Sequence, residues 1–393
     1  MTATTHHHTT DAGFTLAEEH AMAAALRAAA TGVRGANPLV GAALLDVDGR
    51  LIAVGHHRGA GTDHAEVDVL HRAAAAGASP EQIAAATMVV TLEPCNHTGR
   101  TGACTEAILA AGIRSVVHAI GDPHRAAAGG AHRLRAAGVD VRDGLLADQA
   151  LDLNRRWLDV VGTRPFVTLK IAQSLDGAVA ATDGTSQWIT GPAARQDGHR
   201  LRELADAVLV STGTVLADDP TLTARHPDGT PTGRQPRRAV MGLRPVPADA
   251  AVRGDDGRFR ALPTHDPDEA LAGLYADGTR HVLIDGSPRL SAAFARAGLV
   301  DELIVYQAPL LIGGRAAFPD LGLDTLDDAL RFEPDEAGGG AIERFGPDTR
   351  LRFRPVDGTA VHLDPETLDP LDRSLDLLDR PQTSDHSATG KKG

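Results

Sequence analysis

The sequence predicts an α/β protein with two domains and a short acidic tail. Its 393 residues exceed the usual ~100 to 200 residues of a single domain. Segments typical of strands and helices alternate twice, once up to about residue 148 and again from about residue 165 to residue 356. Such alternation is typical of layered α/β folds. We therefore expect domains at 1–148 and 149–356, followed by a tail at 357–393.

The first alternation opens with a helix in TLAEEHAMAAALRAAATG. Thr15 and Glu18 have the spacing of a capping box there, and Gly32 ends the segment. LVGAALLD and RLIAVGHH flank the turn DVDG and predict a β-hairpin. The segments that follow predict helix AEVDVLHRAAAAG, strand TMVVTLE, helix CTEAILAAG, strand SVVHAI and helix GGAHRLRAAG. A sheet covered by helices would accommodate this order.

The second alternation begins with RPFVTLKIAQSLDG and predicts further strands in ADAVLVSTGTV, RRAVMG, RHVLIDG and DELIVYQAPLL. Helical segments such as RQDGHRLRELA and LSAAFARAG lie between them. No G-x-G-x-x-G follows a strand, so this prediction does not depend on a dinucleotide-binding fingerprint. The tail is rich in Asp and lacks aromatic residues, which predicts disorder, with a short adhesive helix as the alternative. The Thr-rich leader with three consecutive histidines, at 6–8, is also expected to be unstructured.

Composition predicts a soluble protein and argues against nucleic acid and membranes as partners. A formal charge of −13 provides no general basic field for nucleic acid or an anionic membrane. No stretch approaches 18 consecutive apolar residues, and the first residues lack the apolar core of a signal peptide, so we expect a cytoplasmic protein. The chain has two cysteines, which in that compartment favour metal binding or catalysis over a disulfide.

Two short stretches contain every element of a catalytic zinc site. His64 and Glu66 form an H-x-E triplet at a predicted helix start, and Cys95 follows a proline nine positions before Cys104. Zinc deaminases bind Zn²⁺ through one His and two Cys and use a non-ligating Glu to move protons. Three protein ligands leave the fourth position to water, whose pKa the metal lowers. We predict His64, Cys95 and Cys104 as ligands and Glu66 as the general acid and base.

Two alternatives to a catalytic zinc site remain open at this point. His64 and Glu66 could be a pair on a helix surface and the cysteines could be buried thiols, but the conjunction of all four favours chemistry. A structural zinc site would use a fourth protein ligand and would not explain Glu66. We also expect both cysteines at helix starts, where the positive end of the helix favours the thiolate.

The segment from Glu93 to Cys104 resembles the bifunctional deaminase-reductase family of riboflavin biosynthesis. It matches the family pattern E-P-C-[SN]-H-x-G-[RK]-T-P-P-C except that Gly102 and Ala103 replace two prolines. NPLVG resembles the family's N-P-x-V-G, and GDPHRAAAGG resembles its D-P-N segment with His124 in place of Asn. Deaminases of nucleic-acid bases use a shorter cysteine spacing, which makes that alternative weaker. The resemblance implies substrate contacts by Asn37, His97 and Arg100.

Motifs of the same family's reductase follow in order in LKIAQSLDG, SQWIT, HRLRELADAVLV, TGTVLADDPTLTAR and LIDGSPRL. The resemblance covers roughly residues 14–356 and implies a cytidine-deaminase-like three-layer domain followed by a dihydrofolate-reductase-like domain. It implies that the residues facing NADPH are Ala172, Trp188, Thr214, Asp218 and Ser287. It implies that the residues facing the substrate are Lys170, Ser186, Arg202, Leu222, Arg225 and Asp285. Two arginines brought together would form a phosphate site on an otherwise acidic protein.

The resemblance therefore implies a bifunctional enzyme that uses zinc and NADPH. Its substrate would be a phosphorylated compound similar to a pyrimidine nucleotide, deaminated in the first domain and reduced from ribosyl to ribityl in the second. Asp285 replaces a family Glu, which leaves a deaminase with an inactive or altered reductase domain as the nearest alternative. A binding module stabilised by zinc is a further alternative, and the sequence leaves open whether the protein forms a homo-oligomer.

Overall fold

The computed structural model describes residues 13–33, 35–59, 61–96, 102–122, 129–319, 321–336 and 340–356. The histidine-rich leader, the tail at 357–393, His97, Arg100 and His124 lie outside these ranges. The helices are α1 Leu16–Ala29, α2 Ala65–Ala75, α3 Pro80–Ala84, α4 Cys104–Ala110, α5 Gly130–Ala136, α6 Ala147–Val160, α7 Pro192–Leu204, α8 Thr212–Asp218, α9 Pro267–Ala276 and α10 Pro288–Arg296. No helix of the described ranges is long and apolar enough to cross a membrane.

The first α/β unit contains a five-stranded sheet in the order β2-β1-β3-β4-β5. Its strands are β1 Gly41–Leu45, β2 Leu51–His56, β3 Thr87–Leu92, β4 Ser115–Ile120 and β5 Asp140–Asp143. The predicted capping box of α1 is confirmed, since Thr15 Oγ1 accepts from Glu18 N at 3.2 Å and Glu18 Oε2 accepts from Thr15 N at 2.9 Å. The predicted hairpin of β1 and β2 is also confirmed.

Helices cover both faces of this sheet, and two glycines allow them to approach closely. A Cβ atom at Gly41 would lie 1.9 Å from Ala25 O of α1, and one at Gly55 would lie 2.5 Å from Val69 N of α2. Ala42 pairs with Gly55, so Gly41 and Gly55 point to opposite faces of the sheet. The three-layer arrangement follows from these contacts.

The second α/β unit is built on a larger sheet in the order β10-β9-β8-β11-β6-β12-β16-β14, with β15 paired to β16. Two short strands, β13 and β7, form a separate pair. The strands are β6 Phe166–Ser174, β7 Ala178–Ala180, β8 Ala207–Ser211, β9 Arg237–Met241, β10 Phe259–Leu262, β11 His281–Asp285, β12 Glu302–Ala308, β13 Arg315–Ala316, β14 Phe332–Pro334, β15 Ile342–Phe345 and β16 Asp348–Pro355. The strands from β6 to β12 in this sheet run parallel, so their carboxyl ends share one edge.

The structure contains elements that the sequence patterns did not predict, among them α3, α9, β10 and β16, and it differs from the expectation at two further segments. Residues 212–215, predicted as the end of a strand, begin helix α8 because Ser211 Oγ accepts a hydrogen bond from Thr214 N at 3.2 Å. No helix was expected at 147–160, where α6 connects the two units. The predicted boundary between the two domains, at 148–149, falls in the first turn of α6 and stays a prediction.

Candidate active sites

Three side chains of the first unit place their ligand atoms together at one end of the sheet. His64 is the N-cap of α2, Cys104 is the first residue of α4, and Cys95 lies in the loop after β3. The expectation that Cys95 begins a helix is therefore wrong. His64 Nδ1 lies 3.2 Å from Cys104 Sγ and 3.6 Å from Cys95 Sγ, and the two sulfurs are 3.4 Å apart.

These distances, 3.2 to 3.6 Å, lie within about 0.4 Å of those expected around a tetrahedral zinc ion. Zinc bonds of about 2.3 Å to sulfur and about 2.0 Å to nitrogen place tetrahedral ligand atoms about 3.5 to 3.8 Å apart. Within the described ranges, these three residues form the one group of three or more His, Cys, Asp or Glu side chains close enough to share an ion. One nitrogen and two sulfur donors, with no fourth ligand among the residues that the structure describes, suit catalytic zinc.

Hydrogen bonding within the cluster favours a thiolate at Cys95. The hydrogen bond between the two sulfurs lowers the pKa of Cys95, and the Cys104 backbone N–H also points at the Cys95 sulfur, at 3.4 Å. The bond to Cys95 and burial raise the pKa of Cys104. The hydrogen bond to Cys95 raises the pKa of His64, which burial opposes. The Cys95 thiolate is thus the sulfur that is ready to bind a divalent cation, and metal binding would displace the proton of Cys104.

Glu66 lies in the first turn of α2, beside the three ligands. Its side chain is buried, and burial raises the pKa of its carboxyl to about 7. A carboxyl with a pKa near neutral pH can both accept a proton and return it. The predicted role of Glu66 as general acid and base requires a carboxyl of this kind.

Asn37 faces the same cavity and is held there by a histidine. Asn37 Nδ2 donates to His57 Nε2 at 2.9 Å, and His57 Nδ1 donates to Asp63 O at the same distance. Burial lowers the pKa of His57, which favours the neutral ring that this pairing needs. The sequence reasoning missed His57, although its place seven residues before His64 in HHRGAGTDH was a usable signal.

Both units line the cavity beside Glu66. The cavity measures about 190 Å³. Residues of the first unit that line it include Asn37, His57, His64, Glu66 and Cys95. The rest of the lining comes from α6 and the second unit, and includes Trp157, Val160, Arg164, Phe166 and Arg280. Residues of α6 and β6, which lie beyond the predicted first domain, thus line the same cavity as the zinc cluster.

In the second unit, Asp285 holds two predicted substrate residues together. Asp285 pairs with Lys170 in the register of the parallel strands β11 and β6. Its Oδ1 accepts from Lys170 Nζ at 3.1 Å, and its Oδ2 accepts from Arg202 Nη2 at 2.6 Å. Burial opposes ionisation, but the two cations lower the pKa of Asp285 below its ordinary value. Asp285 therefore contacts both cations, Lys170 and Arg202.

Arg202 connects this ion cluster to the segment that carries Arg225. Arg202 Nη1 donates to Thr223 O at 3.4 Å, and Arg225 Nε donates to Thr223 Oγ1 at 2.9 Å. Leu222 is buried with a φ of 54°, in the left-handed region that non-glycine residues seldom adopt. Arg225 lines an open cleft together with Arg200 and Arg350. The two predicted phosphate ligands are thus joined through one residue but do not contact each other.

The residues predicted to face NADPH lie along the carboxyl edge of the parallel strands or in the segment before α7. Ser287 is the N-cap of α10, and its Oγ is buried with no hydrogen-bond partner in the described part of the chain. Thr214 lies in α8, with Oγ1 3.1 Å from Ser211 Oγ. Trp188 is 68% exposed, with the Arg195 guanidinium 4.7 Å from its ring centre. The other two residues predicted to face NADPH are Ala172, which is half-buried, and Asp218, which is exposed. Ser186, predicted to face the substrate, is half-buried in the segment before α7. The orphaned hydroxyl of Ser287 fits a bound polar cofactor.

Comparisons with known proteins agree with this geometry in both units. A family model of the cytidine and deoxycytidylate deaminase zinc-binding region matches residues 16–120, and a model of the RibD C-terminal domain matches residues 165–338. Together they define the class of protein as a zinc-dependent deaminase joined to an NADPH-dependent reductase. Riboflavin biosynthesis protein RibD of Mycobacterium tuberculosis is 47% identical over 317 residues, which cover 80% of this chain and 90% of the relative. The chain belongs to the RibD family.

Two solved structures support the same assignment. Acinetobacter baumannii RibD, form 1, is 34% identical with a TM-score of 0.68, and the match covers 86% of this chain and 99% of that chain. A deaminase/reductase from Thermotoga maritima is 29% identical with a TM-score of 0.65 and the same coverage. The predicted family, the α/β fold class and the cofactors zinc and NADPH are thereby confirmed.

Proposed function

We propose that this enzyme catalyses two consecutive steps of riboflavin biosynthesis. It first hydrolyses 2,5-diamino-6-(5-phosphoribosylamino)pyrimidin-4(3H)-one to 5-amino-6-(5-phosphoribosylamino)uracil and ammonia. It then reduces the ribosyl group of that product to ribityl with NADPH. The Thermotoga maritima structure bears the names of these two activities. The observation that carries the proposal is the His64, Cys95 and Cys104 cluster with buried Glu66 in a cavity, combined with a separate cationic site in the second unit.

In the deaminase site, each residue has one task. His64, Cys95 and Cys104 would hold the zinc ion, which would lower the pKa of the attacking water. Glu66 would accept one proton of that water and deliver it to the ring nitrogen, and it would then carry the second proton from the new hydroxyl group to the departing amine. Asn37, whose Nδ2 is bound to His57, is proposed to contact the substrate through Oδ1. His97 and Arg100 are proposed to bind the phosphorylated part of the substrate, in a segment outside the described ranges.

In the reductase site, the protein binds and orients the reactants. NADPH supplies the hydride, so the chain needs no nucleophile of its own. Arg202 and Arg225 are proposed to bind the substrate phosphate, while Lys170 lies where it can assist ring opening of the ribose or bind the same phosphate. Asp285 fixes Lys170 and Arg202 relative to each other. The remaining proposed roles are substrate contact by Ser186 and Leu222, and NADPH contact by Ala172, Trp188, Thr214, Asp218 and Ser287.

The test uses the purified protein with the diaminopyrimidine nucleotide, with and without NADPH. Ammonia release should not require NADPH, whereas oxidation of NADPH should require the deaminated product. Ammonia release with no NADPH oxidation would indicate the alternative, a deaminase with an inactive reductase unit. No ammonia release from zinc-loaded protein would refute the proposed deamination.

We further propose a cytoplasmic location and a homo-oligomeric state. The use of NADPH supports the cytoplasmic location. The general prevalence of symmetric homo-oligomers supports the homo-oligomeric state. Light scattering of the purified protein measures the oligomeric state, and a mass equal to one chain would contradict that part of the proposal.

A further inference from the structure

The loop that carries Asn37 is bound by a side chain from the helix between the two units. Asn154 lies on α6 and is 1% exposed. Its Oδ1 accepts from Leu39 N at 2.8 Å, and its Nδ2 donates to Leu39 O at 2.9 Å. Leu39 is 115 positions away in the sequence and two residues after Asn37.

The residue type at 154 matters because both backbone groups of Leu39 need a partner. Leu39 is fully buried and precedes β1, which begins at Gly41, so no β-ladder pairs its N–H and C=O. A buried backbone group without a partner is rarely tolerated. An amide side chain offers a donor and an acceptor together, which a carboxylate or an apolar side chain does not.

The other side of this loop rests on the second unit. A Cβ atom at Gly35 would lie 2.5 Å from His281 Nδ1, so the backbone at 35 packs directly on that ring. His281 is buried at the start of β11. The loop is thus held between α6 and β11, while its Asn37 side chain points to His57 and the cavity.

We propose that Asn154 is a positioning residue for deamination. By fixing the backbone at Leu39, it places the Asn37 amide at the distance from Glu66 that the substrate ring requires. The inference rests on the proposed function of Asn37 as a substrate contact. It also makes α6 part of the deaminase site, so that catalysis in the first unit depends on residues beyond 148.

The experiment is a double-mutant cycle in the full-length, zinc-loaded protein, with Asn154→Asp and Asn37→Ala alone and together. Asn154→Asp keeps an acceptor for Leu39 N and loses the donor to Leu39 O. We expect it to lower kcat/KM for deamination by about ten- to a hundredfold, since a misplacement of about 1 Å has effects of this size. In the Asn37→Ala background, Asn154→Asp should lower kcat/KM for deamination by less than about threefold, because the Asn37 amide that Asn154 positions is already absent.

Leu153→Ala is the matched control. Leu153 is half-buried on the same helix and packs near Leu39, so this change removes packing and leaves both hydrogen bonds of Asn154 in place. It should lower Tm while kcat/KM for deamination stays within about twofold, because the two hydrogen bonds that fix the Leu39 backbone are kept. Zinc content and NADPH-dependent reduction of supplied intermediate should be unchanged in Asn154→Asp. Asn154→Ser, which keeps a single hydrogen-bonding group, serves as the second variant if Asn154→Asp fails to fold.

The outcomes separate this inference from the proposed function. The positioning role would be overturned if Asn154→Asp lowered kcat/KM equally in wild type and in Asn37→Ala. It would also be overturned if Asn154→Asp alone had a normal kcat/KM. If Asn37→Ala alone left deamination unchanged, the substrate role of Asn37 would fail and the inference with it. Impaired Asn37→Ala with unimpaired Asn154→Asp would remove only the positioning role.

Discussion

The Asp285→Asn substitution should both destabilise the second unit and slow reduction, because one carboxylate neutralises two cations. Asp285 Oδ1 binds Lys170, and Oδ2 receives two hydrogen bonds from Arg202, at 2.6 and 3.0 Å. Asn keeps the shape and one acceptor oxygen but removes the charge. Lys170 and Arg202 would then face each other without compensation.

The magnitude follows from the exposure of the three side chains. The Asp285 side chain is 13% exposed, that of Lys170 19% and that of Arg202 22%. Breaking a buried ion pair costs about 3 to 5 kcal/mol. Because both cations keep some contact with water, we expect the lower end, about 3 kcal/mol, or roughly a hundredfold in the unfolding equilibrium. Loss of alignment should also lower kcat/KM of reduction by about ten- to a hundredfold.

The assay combines urea unfolding with NADPH oxidation on supplied deaminated intermediate. Ammonia release by the first unit is the internal control and should stay unchanged. Asp285→Glu is the matched control, since it keeps the charge and restores the family's residue, and it should retain most of the stability and activity. Stability within about 0.5 kcal/mol of wild type together with unaltered reduction in Asp285→Asn would refute this account of the cluster.

Further predictions concern the zinc site, the phosphate site and one buried histidine. Cys104→Ala should reduce bound zinc from one ion per chain to none by metal analysis, and full retention of zinc would contradict the ligand assignment. Glu66→Gln should keep zinc and lower ammonia release by more than about tenfold, since Gln cannot carry a proton; a smaller loss would assign proton transfer elsewhere. Arg225→Ala should lower kcat/KM of reduction by about ten- to a hundredfold and leave deamination unchanged, because a hydrogen bond to a charged group contributes about 1.5 to 3 kcal/mol. Burial lowers the pKa of His281 in the folded state, so its stabilising effect is present above the ordinary pKa of about 6.5 and is lost as pH falls below it. Denaturation between pH 7.5 and 5.5 should show a smaller loss of stability in His281→Gln than in wild type, and equal losses would exclude His281 as a contributor.

The sequence alone determined the features that depend on neighbouring residues. The capping box at Thr15, the hairpin of β1 and β2 and most strands of both sheets follow from local patterns, and the structure confirms them. The zinc cluster could also be predicted, because His64 and Glu66 share one helix turn and both cysteines lie within ten positions. Local patterns failed at 212–215, where the hydroxyl of Ser211 starts a helix in a segment of strand-forming residues.

Only the tertiary structure decided which distant residues meet. The pairing of Asp285 with Lys170 depends on β11 lying next to β6, although 115 positions separate the two residues. The bonds from Asn154 to Leu39 likewise depend on where α6 packs. Sequence patterns report the face that a segment buries, whereas strand order and helix packing arise from long-range contacts that compete across the whole chain. For this reason the ligands of the zinc site could be predicted from the sequence. The residues that hold the loop of Asn37 in place could not.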